Sequence, residues 1–254
     1  AVEISGLTIA KGLVAGAGGS ASVGFYTDAG LGGDALGAGI WNQGTLTLVG
    51  SAVTGNRAAG GGGGGINAWE HVPGTPGRAG NTSTDPNYAE NTGNFGGFAS
   101  NGVAEIGGGG GGMKFYGDPF ESFQVSAGRG GHAAGGIYNS GTLTLLGTDF
   151  SGNLAAGGGG GSGFTHSPLY YSGSGGTGVG ALWSTGGSVR LDASTAATLT
   201  TGNVGAGGKI ETYLYSLPPV PFPVVGLSIA GLHSPGGTVD TNYTPPPAIL
   251  SAAY

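Results

Sequence analysis

The chain has 254 residues, of which 63 are Gly, 13 are Pro and none is Cys. Only 8% are charged, the formal net charge is −6 and the pI is near 4.9. Seven Lys and Arg over that length form no basic patch, which argues against nucleic acid and anionic membrane as partners. The lack of Cys excludes disulfides and thiolate metal sites, and no apolar stretch reaches the ~18 residues of a membrane-spanning helix.

In chain order, residues 1–15 already read as strand, with Ile4, Leu7 and Ile9 facing inward. The start at Ala1 leads us to expect a mature or excised segment whose export signal or upstream part has been removed. Phe25-Tyr26 follows between Gly-rich stretches. Next comes GIWNQGTLTLVGSAVTGNRAAGGGGG, from Gly39 to Gly64, which recurs without a gap as GIYNSGTLTLLGTDFSGNLAAGGGGG, from Gly136 to Gly161, at an offset of 97 residues. Self-similarity of this kind has to be read first, because it decides the fold.

Inside the block, Thr45-Leu46-Thr47-Leu48 and Thr142-Leu143-Thr144-Leu145 alternate strictly, the pattern of a strand with one buried face. Ile40 and Ile137 belong to a strand before it, and Val53 and Phe150 to a short strand after it. Thr54-Gly55-Asn56 and Ser151-Gly152-Asn153 close that strand as corners. Three short strands in about 20 to 25 residues describe one coil of a β-solenoid. Gly runs begin at 16, 60, 107, 157 and 205, spaced 44, 47, 50 and 48 residues apart. On that spacing the unit is near 48 residues, or two coils, and the 97-residue offset is two units.

Residues 66–106 are polar and Pro-punctuated, and read as an insertion that ends in a returning strand, Val103–Ile106. Phe115-Tyr116, with Asp118 and Glu121, follows the third Gly run, and Tyr170-Tyr171 follows the fourth. Ala181-Leu182-Trp183, Ser188–Leu191 and Thr201-Gly202-Asn203 match the repeated block in a looser unit. The expected division is a β-solenoid of about four 48-residue units over 1–208, then a Pro-rich C-terminal segment, 209–254, with a final strand and a subunit contact. Val225-Gly226-Leu227-Ser228-Ile229-Ala230 echoes Ser5-Gly6-Leu7-Thr8-Ile9-Ala10. That echo suggests that the last coil of one copy stacks on the first coil of another, head to tail.

GGIYNSGTLTLLGTDFSGNLA resembles the repeats of right-handed parallel β-helices of the pectin-lyase-like superfamily, in particular secreted bacterial surface proteins with polymorphic outer-membrane-type repeats. The resemblance covers 36–65 and 133–161 closely, and 1–15 and 180–208 loosely. It implies a three-faced parallel solenoid exported to the cell surface, and it does not imply catalysis. Unbroken runs of five or six Gly depart from the usual repeat. They suit either polyproline-II-like segments packed side by side or β segments whose backbones meet closely, stacked along the axis and bonded from run to run.

Chemistry-bearing residues are sparse. The tightest carboxylate pair is Asp118 with Glu121, and Asp28 stands at the position equivalent to Asp118. His71, His132, His166 and His233 show no metal-ligand spacing. The Thr-x-Thr pairs resemble ice-binding arrays but occur in only two units. The fold class expected is all-β: a Gly-rich parallel β-solenoid with ordered polyglycine stacked along its axis. The function expected is an extracellular structural or adhesive protein, not an enzyme, self-assembling head to tail as a homo-oligomer and requiring no cofactor. Sugar or partner contacts fall to Phe25, Tyr26, Phe115, Tyr116, Asp118, Glu121, Tyr170 and Tyr171, with polysaccharide or cell-surface glycan as the partner. The alternative is a polysaccharide-binding or polysaccharide-cleaving β-helix.

Overall fold

The computed structural model describes residues 1–22, 28–66, 76–80, 107–108, 110–111, 125–162, 170–171, 173–209 and 225–245, with the backbone alone for Val125, Tyr170 and Tyr171. The chain makes successive passes through the same set of sheets. The first holds β1 (Val2–Ser5), β2 (Thr8–Ala10) and β3 (Leu13–Ala15). The second holds β4 (Ile40–Asn42), β5 (Thr45–Val49), β6 (Ala52–Thr54) and β7 (Arg57–Ala59). The third holds β8 (Val125–Ser126), β9 (Ala133–Ala134), β10 (Ile137–Asn139), β11 (Thr142–Leu146), β12 (Asp149–Ser151) and β13 (Leu154–Ala156). The fourth holds β14 (Tyr170–Tyr171), β15 (Gly178–Val179), β16 (Leu182–Ser184), β17 (Ser188–Leu191), α1 (Ala193–Thr198) and β18 (Val204–Ala206). The last holds β19 (Ser228–Ile229), β20 (Leu232–His233) and β21 (Thr238–Asp240).

Among the described residues every strand pairing is parallel, and the longest sheet runs β1-β5-β11-β17-β21. The class is all-β with parallel sheets. Its inward column aligns Val2, Leu46, Leu143, Val189 and Val239, and the alternation read from the sequence puts Leu48 and Leu145 in the core. Phe150, Leu182 and Leu191 join them, all with no exposed surface. Each such side chain contributes about 1.5–3 kcal/mol by leaving water.

The spacing of passes differs from expectation. Register partners lie 44 residues apart between β1 and β5, 46 between β11 and β17, and 50 between β17 and β21. A single pass therefore takes the whole of one such interval, rather than 20 to 25 residues. The two copies of the repeated block, 97 residues apart, are immediate neighbours: Leu46 pairs with Leu143. The extra length lies outside the strands, and the glycine runs are part of it.

Corners are built from side chains that repeat in register. Gly55, Gly152 and Gly202 have φ of 62°, 62° and 65°, a left-handed turn that a side chain would strain. The Asn after each faces inward. Asn56 Nδ2 donates to Asn153 Oδ1 at 2.9 Å, and Asn153 Nδ2 donates to Asn203 Oδ1 at 2.9 Å. A second ladder runs from Asn42 Nδ2 to Asn139 Oδ1 at 2.6 Å and from Asn139 Nδ2 to Ser184 Oγ at 3.0 Å. These amides satisfy the buried backbone at each bend.

In the fourth pass α1 takes the place of a strand. Asp192 caps it by accepting from the Thr195 N–H at 2.9 Å. The helix covers the edge strand β12: Thr195 Oγ1 accepts from the Thr148 N–H, Thr198 Oγ1 from the Phe150 N–H, and Asp192 Oδ2 from the Gly147 N–H, at 2.9, 3.1 and 2.8 Å. That sheet, β12-β6-β2, consequently ends at the helix.

The glycine runs extend from the strands as an array. Gly60, Gly61, Gly62, Gly63 and Gly64 donate in turn to Ala156, Gly33, Arg78, Gly159 and Gly30, at 2.8–2.9 Å. Neighbours 33 and 30, and 156 and 159, recur every third residue, which is the period of a polyproline II helix. Runs 16–22 and 60–65 are parallel, whereas 28–35 and 76–80 return antiparallel to them. A further pair, 107–111 and 125–133, goes out and back within the same pass, which accounts for the 97-residue offset. The array has no side-chain core: a Cβ on Gly61 would lie 1.8 Å from the Ala17 carbonyl oxygen, and one on Gly160 would lie 1.8 Å from that of Gly173. Where a run borders solvent, every third residue is free to carry a side chain. Asp28, Leu31 and Asp34 are exposed while Ala29, Gly32 and Ala35 between them are buried.

Candidate recognition surfaces

The first surface follows from the strand register. On β4, β10, β16 and β20 the outward position holds Trp41, Tyr138, Trp183 and His233, aligned by consecutive pairings. Their ring centroids stand 5.6, 6.4 and 5.4 Å apart, each pair edge to face. Trp41 is 58% exposed, Tyr138 half-buried and Trp183 only 6% exposed. The Tyr138 hydroxyl bonds Thr185 Oγ1 at 3.0 Å. Among the described residues the Trp183 indole N–H is the buried side-chain donor left without an acceptor.

Where this row meets the array, His132 packs edge to face on Trp183 at 5.1 Å. Its Nδ1 accepts from the Thr177 N–H at 2.8 Å, Arg129 Nη1 lies against Nε2, and its own N–H donates to Asp34 Oδ1 at 2.7 Å. Arg129 and Asp34 form a half-exposed ion pair at 3.9 Å, worth little by itself. Burial pushes the His132 pKa down to about 4; the nearby Arg129 charge adds to this and Asp34 opposes it. Burial lowers that of His233 as well. At neutral pH both rings are uncharged.

The second surface concerns the sites expected from sequence. Phe25, Tyr26, Phe115, Tyr116, Asp118 and Glu121 lie outside the described residues. For Tyr170 and Tyr171 only the backbone is described, as β14 beside Val125 and Ser126. The returning strand 103–106 and the Pro-rich stretch 217–223 also lie outside. The residues that flank these segments are nevertheless brought together. Ser22 N–H donates to Gly65 O, Ile66 N–H to Ser162 O, Ser162 N–H to Gly111 O, Ala29 N–H to Ser126 O and Gly160 N–H to Lys209 O. Asp28, which accepts from the Ser126 N–H at 2.7 Å, also lies at this end. The described residues that border 23–27, 67–75, 112–124, 163–172 and 210–224 thus meet at one end of the array. In sequence those five segments hold 13 of the chain's 22 Phe, Trp and Tyr.

Sequence reasoning placed Tyr138 and Trp183 at the position of Trp41 but did not extend the row to His233. The signal was available in the residue after Ile40, Ile137, Leu182 and Leu232. Among the described residues, no group of three or more His, Asp or Glu could hold a metal, and no helix is long and apolar enough to cross a membrane. No family model, curated protein or solved structure matches the chain.

Proposed function

We propose that the chain is an extracellular structural and adhesive protein, a parallel β-solenoid that holds a polyglycine array off one flank and displays recognition segments at the array's far end. The observation that carries this reading is the convergence of the five pairs of flanking residues. A rigid platform with aromatic-rich connections at one end is how scaffolds commonly present binding groups. The close likeness of 36–65 and 133–161 to repeats of secreted surface β-helices supports the solenoid and the cell-surface location.

A head-to-tail filament is not part of this proposal. The GLTIA and GLSIA stretches whose likeness suggested it sit in different sheets, β2 beside β6 and β19 beside β15. Stacking β1 on β21 in register would also set Glu3 against Asp240 in one outward column, and like charges directly opposite are destabilising.

The test replaces 112–124, which contains Phe115, Tyr116, Asp118 and Glu121, with a Gly/Ser segment of equal length. Binding is then followed on an array of cell-surface glycans and on whole cells. The reading predicts unchanged circular dichroism and melting together with loss of adhesion. Adhesion that survives this replacement, and the same replacement of 163–172 and 210–224, contradicts it.

A further inference from the structure

We propose that His132 is an acid-sensitive latch on the seam between the glycine array and the strand stack: on taking up a proton its ring lets go of Thr177, and the returning runs part from the stack there while the interiors of both regions stay closed. The returning runs are joined from pass to pass by side chains that reach backbone N–H groups. In one line across them, Asp34 Oδ1 accepts from the His132 N–H at 2.7 Å, His132 Nδ1 from the Thr177 N–H at 2.8 Å, and Thr177 Oγ1 from the Leu227 N–H at 3.4 Å. The Ala133 N–H in turn donates to the Thr177 carbonyl at 2.8 Å. Both backbone groups of Thr177 are thus held by 132–133, where the run enters β9.

His132 differs in kind from the other two acceptors in that line. A hydroxyl or a carboxyl keeps an acceptor oxygen when protonated, whereas an imidazole has one acceptor nitrogen when neutral and none when protonated. Uptake of a proton therefore turns Nδ1 into a donor aimed at the Thr177 N–H. Turning the ring away would disturb its edge-to-face packing on Trp183, which is itself buried with Ala134 and Val179.

The surrounding charges favour release. Among the described residues, Arg129, Asp34 and His233 are the ionisable groups that act on the ring. Arg129 lies against Nε2, so an imidazolium would stand beside a cation. Asp34 is the one negative group; it is partly exposed and shared with Arg129, which limits what it offsets. His233, on the other side of Trp183, brings no negative charge. Burial first, and then Arg129, hold the folded ring at a pKa of about 4 against 6.5 for a free one. The open form consequently takes up the proton more readily, and its population grows about tenfold per pH unit below about 6.5.

The test is hydrogen exchange of the full chain by NMR between pH 7 and pH 5, expressed as protection so that the intrinsic pH dependence of exchange cancels. The Thr177 amide and the buried Trp183 indole N–H should lose about twentyfold in protection, reversibly. Leu145 in β11, and Gly63, whose N–H donates to Gly159 inside the array, should change by less than about twofold. His132→Asn, whose amide oxygen stands near the place of Nδ1 and does not titrate, should keep Thr177 equally protected across the range. Thr177 protection that does not respond to pH overturns the proposal. So does an equal loss at all four positions, which is global unfolding, or the same loss in His132→Asn. Should that variant not fold, the slope in the parent decides: about tenfold per pH unit below about 6.5 is uptake of one proton, and a flat or markedly steeper slope contradicts the latch. None of these measurements reads adhesion, so the latch and the proposed role of the array end fail separately.

Discussion

The strand stack and the glycine array bury backbone in opposite ways. In the stack, side chains do the work: Phe150, Leu48, Leu145 and their neighbours fill the interior, and ladder hydrogen bonds follow from their alternation. In the array the side chains are gone. Gly60 to Gly65 are buried on all sides by other backbones, and each N–H from Gly60 to Gly64 finds a different carbonyl in rotation. The hydrophobic effect therefore contributes little to the array. It stands on hydrogen bonds and dispersion, against the large ordering entropy of Gly. The comparison teaches that an all-glycine run can be as constrained as a core leucine, because its three contacts leave no room for a methyl group.

Several substitutions would break or sharpen that contrast. The largest effect is expected in the stack, where Phe150→Ala should cost about 3–5 kcal/mol in denaturant unfolding. Gly61→Ala should approach it at about 3 kcal/mol, since its Cβ would meet rigid backbone at 1.8 Å. Gly44→Ala is the counterpart: nothing lies within 4 Å, so it should be neutral or stabilising by up to about 1 kcal/mol. Asn153→Ala removes the middle rung of the amide ladder and should cost about 2 kcal/mol.

A pH effect marks the junction between the two regions. His132 is held near pKa 4 in the folded chain against 6.5 unfolded. Between those values the unfolded state binds a proton that the folded state does not, so stability rises with pH and is lost as pH falls from about 6.5 towards 4. Melting curves of His132→Gln should be flatter across that window. The smallest effect belongs to Leu31→Ser, at a 63% exposed position of a bordering run, which should stay within about 0.5 kcal/mol.

The strand stack was legible because side chains announce it. Thr-Leu alternation located β5 and β11, the Thr-Gly-Asn corners located the amide ladder, and Ser188–Leu191 was matched to the right sheet. The pass length was not legible. All-glycine segments carry no periodic pattern, so nothing in 60–65 or 107–112 says which neighbour each N–H will choose, or that a pass contains an extra excursion. Helix α1 left a local signal that went unread: an Asp192 cap three residues before Thr195, then a run of Ala.

Hydrogen exchange of the glycine amides, resolved by NMR, tests the central claim most directly. If the array is a bonded lattice, the N–H groups of Gly60–Gly64 and Gly157–Gly161 should be protected about as strongly as those of Leu143 and Leu145 in β11. Exchange of those glycines at the rate of an unstructured peptide, while β11 remains protected, would contradict it.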